Sequence, residues 1–216
     1  MEIPLENRLK RRLHVDIGRL QEEVVGIAYA IEGRAVLHGG TAIWRCFSGN
    51  RFSEDIDIYA PHASKLAEKL GEVLESRGLA LAKMKMTENL LFAKITDGNA
   101  EVRLEANLTG AKIKPEARRY SMMNGGQMDV FCPSLPELMN EKIRAYQSRR
   151  FVRDLYDIYH LAHQLGDDSR KVAPNLRAFL DGFKKPADEA NLPALVYFGA
   201  VPSIDQMLLS LRRGIS

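Results

Sequence analysis

Residues 34–60 read RAVLHGGTAIWRCFSGNRFSEDIDIYA. Ala35-Val36-Leu37 is a short apolar run that predicts a strand, and it ends in His38-Gly39-Gly40-Thr41. A short apolar helix and a turn at Ser48-Gly49-Asn50 lead to Ser53-Glu54-Asp55-Ile56-Asp57-Ile58-Tyr59, where acid and aliphatic alternate with period two. In an extended strand Asp55 and Asp57 face one way, and Ile56 and Ile58 face the other, into a core. Two carboxylates about 7 Å apart at Cα suit a pair of divalent cations about 3.5–4 Å apart. A Gly-Gly turn that opens a helix lets a phosphate approach bare backbone N–H groups at the positive end of the helix dipole. Together these features predict a site for a nucleoside triphosphate with Mg²⁺.

The rest of the composition sets bounds on that reading. With 216 residues, 45% of them apolar, the chain has room for one large domain or two small ones and for a real core. No run of 18 apolar residues exists to span a membrane, and the basic N-terminus lacks the apolar segment of a secretory signal. Cys46 and Cys132 occur in unrelated contexts, which supports neither a disulfide scaffold nor a zinc site. A reducing cytoplasm is the expected location. The net charge of +3 is small, but Lys10-Arg11-Arg12, Lys112 to Arg119, Lys142 to Arg153 and Arg212-Arg213 form local basic clusters. Such clusters are ordinarily solvated faces. Gathered around an acidic metal site, they would suit a polyanionic substrate.

Periodicity orders the elements. Residues 15–32 place Ile17, Leu20, Val24, Ala28 and Ile31 at helical spacing, closed by Gly33, and residues 35–38 form the first strand. Thr41 to Phe47 makes a short buried helix that carries the single Trp44, and Asp55–Tyr59 a strand ended before Pro61. Residues 62–77 form the clearest amphipathic helix, with Ala63, Leu66, Ala67, Leu70, Val73 and Leu74 on one stripe. Runs at 79–86, 90–96 and 101–107, joined by Thr87-Glu88-Asn89 and Asp97-Gly98-Asn99, predict an antiparallel meander. Residues 109–125 read as a long basic loop with a short strand, and Met128 to Phe131 as a further strand. From Ser134 the pattern is helical, at 134–148, 151–164, 169–182, 187–198 and 203–213, with Ser134 and Glu137 as a capping box and Ser203 as an N-cap. The expected architecture is α+β: residues 1–132 form a mixed or antiparallel sheet with flanking helices, and residues 133–216 an all-helical domain, with the site in the cleft between the two.

Each chemical sign has a plainer reading when taken alone. Glycine pairs are common in strand-to-helix turns, and an edge strand with a solvated acidic face also reads Asp-Ile-Asp. The order strand, Gly-Gly, helix, turn, Asp-Ile-Asp is more specific, because two adjacent carboxylates repel unless a cation neutralises them. A second block, Glu141-Lys142-Ile143-Arg144-Ala145, then Arg149, then Arg153-Asp154-Leu155-Tyr156-Asp157, adds cations suited to phosphate oxygens. Were residues 142–157 one helix, Lys142, Tyr146, Arg149 and Arg153 would share a face, with Asp157 about 60° round. The plainer alternative is an exposed helix laced with ion pairs such as Arg153 with Asp157. Leu104-Glu105-Ala106 and Met128-Asp129-Val130 each set an acid between apolar neighbours on a predicted strand. His38 reads as packing at the strand end.

This order of motifs resembles the polymerase-β-like nucleotidyltransferase superfamily. His38-Gly39-Gly40-Thr41-Ala42 with Arg51-Phe52-Ser53-Glu54-Asp55-Ile56-Asp57-Ile58, followed by the Lys142 and Arg153-Asp154-x-x-Asp157 block, is similar to one branch in particular. That branch is the AbiEii/MenT nucleotidyltransferase toxins of type IV toxin–antitoxin and abortive-infection systems. The resemblance implies transfer of a nucleoside monophosphate from an NTP to an acceptor hydroxyl, the 3′ end of tRNA being the expected acceptor, with a cognate antitoxin as partner. It implies Mg²⁺ or Mn²⁺ held by Asp55, Asp57 and a third carboxylate on a later strand, Glu105 with Asp129 as its competitor, and it places Lys142 in the catalytic set. Gly39, Gly40, Thr41 and Ser53 are then expected at the phosphates, with Arg51, Lys142 and Arg149 neutralising charge and Asp154 and Asp157 orienting those cations. His38 departs from the Lys frequent at its position. Two other classes stay open: a protein-modifying nucleotidyltransferase with the same metal site, and a nucleotide- or RNA-binding module without catalysis.

Overall fold

Alternation along Asp55–Tyr59 has the consequence expected of a strand with one face in the core. Ile56 and Ile58 are fully buried, while Asp55, Asp57 and Tyr59 keep contact with solvent. The structure, a computed structural model, describes residues 3–107 and 113–214. The chain divides into two units: Met1–Cys46 with Ser53–Pro133, and Phe47–Phe52 with Ser134–Ser216.

In the first unit, α1 (Leu5–Arg8) and α2 (Arg12–Ile31) precede β1 (Val36–His38), α3 (Gly39–Cys46), β2 (Asp55–Tyr59) and α4 (Ala63–Ser76). Then come β3 (Ala80–Met86), β4 (Leu90–Thr96) and β5 (Glu101–Asn107), and a separate ribbon of β6 (Glu116–Ser121) and β7 (Gln127–Cys132). The main sheet has the order β1-β2-β5-β4-β3. β3, β4 and β5 form the antiparallel meander the sequence predicts. β2 and β5 run parallel, a pairing that requires a long crossover, here supplied by α4 and the β3–β4 hairpin. Leu66, Leu70 and Leu74 of α4 stand four residues apart and are fully buried, each contributing about 1.5–3 kcal/mol. α4 packs on β3 and β4, and α2 on α4 and β5, so the face carrying Ile56, Ala93 and Leu104 is the core face. The Asp97-Gly98-Asn99 turn closes through Asp97, whose Oδ1 accepts from the backbone N–H groups of Asn99 and Ala100 at 2.8 Å each. This is the α+β arrangement with a mixed sheet that the sequence predicts.

The structure refines two local readings and corrects one, the helix at 187–198. The short strand expected within residues 109–125 runs over six residues, 116–121, and pairs with β7 from Glu116↔Cys132 to Ser121↔Gln127. Most of β6 is exposed, with only Tyr120 buried, so no apolar alternation marks it; residues 109–112 of that loop lie outside the described residues. The predicted helix at 187–198 is a 3₁₀ turn at Glu189–Asn191 and a four-residue helix α8 (Leu192–Leu195). It stops because Val196 turns extended and pairs with Arg51. The two cysteines, distant in sequence, are brought together: both are free, and a thiol–thiol hydrogen bond and then burial push the Cys132 thiol well above its ordinary range.

The second unit contains α5 (Leu135–Arg149), α6 (Val152–Ala162), α7 (Ser169–Asp181), α8 and α9 (Ile204–Arg213). α9 starts with a capping box: Ser203 Oγ accepts from Gln206 N at 3.2 Å, and Gln206 Oε1 accepts from Ser203 N at 2.8 Å. Segment 47–52 belongs to these helices through its backbone. Phe47 O accepts from Gln164 Nε2 at 2.8 Å, Gly49 O from the Tyr197 hydroxyl at 2.9 Å, and Phe52 N donates to Leu195 O at 3.1 Å. Among the described residues, no helix is long and apolar enough to cross a membrane.

Candidate active site

The strand register assembles the acidic site. Asp57 lies opposite His38 of β1 on one side and opposite Glu105 of β5 on the other. Asp55, two residues back on the same face, lies opposite Arg103. Arg103 Nε sits 2.7 Å from Asp55 Oδ1, but no hydrogen bond of normal geometry reaches that buried oxygen. With the two side chains 47% and 32% exposed, solvent screens the pair and its net contribution to stability is small. His38 stacks on Tyr59 at 3.8 Å with ring planes 7° apart, at the strand end as expected. Asp129 sits instead on β7, largely exposed and paired with Arg119 at 3.2 Å, so the register brings Glu105, not Asp129, beside Asp57.

Gly39 shapes the other wall. Its φ of +70° is a left-handed conformation that costs an L residue about 1–2 kcal/mol, and a Cβ there would collide with the Asp57 carboxylate. Glycine therefore lets that carboxylate lie against the backbone that starts α3. The Thr41 hydroxyl, fully buried, donates to the Asp55 carbonyl and ties the first turn of α3 to β2. Its proton is thus committed to the fold. Ser53, nearly buried, accepts at its carbonyl from Gln21 Nε2 at 2.8 Å. Trp44 is core, with the Arg45 guanidinium 4.0 Å from its ring centre.

Burial first, then the charges of Asp57 and Asp55, push the Glu105 carboxyl above its ordinary range, against opposing pulls from Arg103 and His38. Three carboxylates on one sheet face are hard oxygen donors whose mutual repulsion a divalent cation would relieve. By residue type and register they fit one. Among the described residues, however, no three acidic, histidine or cysteine side chains stand gathered as a ready ligand shell, and Asp55 is turned to Arg103.

The Lys142-to-Asp157 block is organised differently from the single helix considered above. α5 ends at Arg149, Arg150 takes a left-handed conformation (φ 52°, ψ 44°), and α6 begins at Val152. The break brings Asp154 and Asp157 back toward Lys142, whose Nζ lies 2.8 Å from Asp157 Oδ2 and 3.6 Å from Asp154 Oδ1. Arg51, from segment 47–52, holds Asp157 with two hydrogen bonds, Nε to Oδ1 at 2.8 Å and a terminal N–H to Oδ2 at 2.7 Å. Arg149 holds Asp154 in the same way at 2.7 and 2.8 Å. Arg51, Lys142, Asp154 and Asp157 are all buried, while the Arg149 side chain is 41% exposed. Burial alone would raise the Asp157 carboxyl; the charges and hydrogen bonds of Arg51 and Lys142 outweigh it and hold the carboxyl at about 2. Arg153 pairs with the Phe151 ring at 5.3 Å rather than with Asp157, so the exposed ion-pair helix is not what forms. Arg51 and Asp157 lie 106 residues apart, and nothing in their local sequence marks them as partners.

A comparison with curated proteins finds no match. Among solved structures the fold is similar to that of MenT4, a nucleotidyltransferase toxin from Mycobacterium tuberculosis H37Rv, with a TM-score of 0.62 over 95% of this chain and 85% of that chain at 18% identity. A weaker likeness, with a TM-score of 0.48 at 14% identity over 71% of this chain and 86% of that one, is to the antibiotic-resistance factor ANT(2″)-Ia. The model of the AbiEii family, nucleotidyl transferase toxins of type IV toxin–antitoxin systems, matches residues 28–207. That span takes in the Gly-Gly turn, the carboxylates of β2 and β5 and the Lys142-to-Asp157 block, and the chain is therefore a nucleotidyltransferase that belongs to the AbiEii toxin family.

Proposed function

We propose that the protein transfers a nucleoside monophosphate from an NTP to the 3′-hydroxyl of a tRNA. The observation that supports the transfer reaction is the placing of Asp55, Asp57 and Glu105 on one sheet face, with Gly39 leaving the Asp57 carboxylate room against the start of α3; the tRNA acceptor rests on the resemblance to the MenT branch. The acceptor oxygen forms a bond to the α-phosphorus, the bond from that phosphorus to the bridging oxygen breaks, and pyrophosphate leaves. Glu105, its proton affinity raised by burial and by its two acidic neighbours, is suited to take the hydroxyl proton. Backbone N–H groups at the start of α3 would meet the phosphates. Asp55, Asp57 and Glu105 would hold Mg²⁺ or Mn²⁺, which when bound supplies charge stabilisation at the phosphates and lowers the pKa of the attacking hydroxyl.

Lys142 and Arg149 would add positive charge toward the phosphates, with Asp154 and Asp157 fixing their geometry. Arg51, with its guanidinium spent on Asp157 and on Phe52 O, is assigned to positioning that network. Membership of a toxin–antitoxin family supports a cognate antitoxin as partner.

The test is to incubate the protein with each α-³²P-labelled NTP, Mg²⁺ and a total extract of RNA and protein, beside Asp57→Asn. Label in a tRNA-sized RNA, absent from the variant, is the expected result. Label in protein instead assigns the acceptor to a Ser, Thr or Tyr hydroxyl. No label from protein that still binds NTP removes the catalytic reading.

A further inference from the structure

The sheet face that bears the carboxylates continues across β5, β4 and β3, and the register fixes what stands there. One row runs Asp57, Glu105, Phe92, Lys85, and the next runs Asp55, Arg103, Lys94, Lys83. Successive strands are about 4.8 Å apart, which puts Phe92 about 10 Å and Lys85 about 14 Å from Asp57 across the sheet. Lys83 and Lys85 are exposed and Phe92 is half-buried. Lys94 and Arg103 are partnered by Glu101 and Asp55, at 2.7 Å each, whereas Lys83 and Lys85 make no ion pair among the described residues.

We infer that this strip is where the acceptor is held, as single-stranded RNA, with a base stacked on Phe92 and backbone phosphates at Lys83 and Lys85. The inference rests on the proposed RNA acceptor. Three features favour it. Gly39 and Gly40 place the phosphate-binding backbone at the β1 edge of the carboxylates, which leaves the β5–β4–β3 side for the strand that brings the hydroxyl. Lys83 directly opposite Lys94 is a like-charge cross-strand pair that the fold alone disfavours and a bound polyanion relieves. An aromatic ring between an acidic centre and free cations is the combination that grips single strands without reading sequence. Edge-strand lysines also deter sheet-to-sheet aggregation, but that role needs neither Phe92 nor any effect on RNA.

The test measures binding of a short fluorescent single-stranded RNA by anisotropy, between about 50 and 200 mM salt, to the wild type, Lys83→Ala/Lys85→Ala, Phe92→Ala and Phe92→Tyr, with NTP affinity followed in parallel. The lysine pair variant is expected to lower the slope of log affinity against log salt by about 1.4. Phe92→Ala is expected to weaken binding about tenfold at every salt concentration and Phe92→Tyr to restore it, with NTP affinity retained. Should Phe92→Ala fail to fold, the exposed lysine pair decides alone. Tight RNA binding by the wild type that none of these changes alters overturns the strip and leaves the RNA acceptor standing. No RNA binding by a wild type that labels protein overturns both.

Discussion

Gly39 is held in place by two independent demands: a backbone conformation that costs other residues strain, and an acidic side chain that occupies the space of a Cβ. Gly78 shares only the first. Its φ is +72°, but nothing lies within 4 Å of the Cβ position. Gly39→Ala and Gly78→Ala are therefore both expected to lose about 1–2 kcal/mol of stability in urea titration, and only Gly39→Ala is expected to lose nucleotide transfer. Equal transfer by the two variants would remove Gly39 from the site. Asp57→Asn keeps the shape and discards the charge. A loss of several kcal/mol of transition-state stabilisation corresponds to about three orders of magnitude in transfer rate, with thermal stability unchanged or raised, because Asp57 is a source of repulsion for Glu105.

At the scale of elements, the α5–α6 break and segment 47–52 form one buried electrostatic unit. Asp157→Asn leaves Arg51 buried without its paired carboxylate and Lys142 with only Asp154, at 3.6 Å, a change expected to cost about 3–5 kcal/mol, measurable as a lower urea midpoint. The pH dependence follows from the same group. The folded carboxyl is held at about 2, below the ordinary 3.8, so the unfolded chain takes up the proton first as acid is added. The stabilisation is complete above the unfolded value and is lost as pH falls through the folded one. Wild-type stability should thus decline between about pH 5 and 2 more steeply than that of Asp157→Asn; parallel declines would contradict the assignment.

This element also shows what sequence periodicity conveys. Lys142, Arg149, Asp154 and Asp157 were legible as a set, because a short motif carries them. Their geometry was not, since it depends on Arg150 adopting a left-handed conformation and on a partner 106 residues away.

Across the whole molecule, the same division holds. β2, α4 and the β3–β4–β5 meander were legible because one face of each is apolar at a regular interval and the turns between them carry Asp-Gly or Thr-Glu-Asn chemistry. The parallel pairing of β2 with β5, which sets Glu105 beside Asp57, joins strands separated by a helix and a hairpin and leaves no local trace. The extent of β6 was illegible because its Arg-rich surface lacks alternation, and the end of α8 because Val196 is taken up by Arg51. The molecule-level chemistry follows from the site. Chelation of divalent cations is expected to abolish transfer, and Mg²⁺ or Mn²⁺ to restore it; activity that survives chelation would contradict a role for Asp55 and Asp57 as ligands.

The most direct measurement is made on the acceptor itself. Intact tRNA and tRNA whose 3′-terminal diol has been destroyed by periodate are incubated with the preferred NTP, and the RNA is weighed by mass spectrometry. The expected result is the mass of one added nucleoside monophosphate or more on the intact tRNA, none on the oxidised tRNA, and none with Asp57→Asn. Equal addition to the oxidised RNA, or addition by Asp57→Asn, would contradict transfer to a 3′-hydroxyl by these carboxylates.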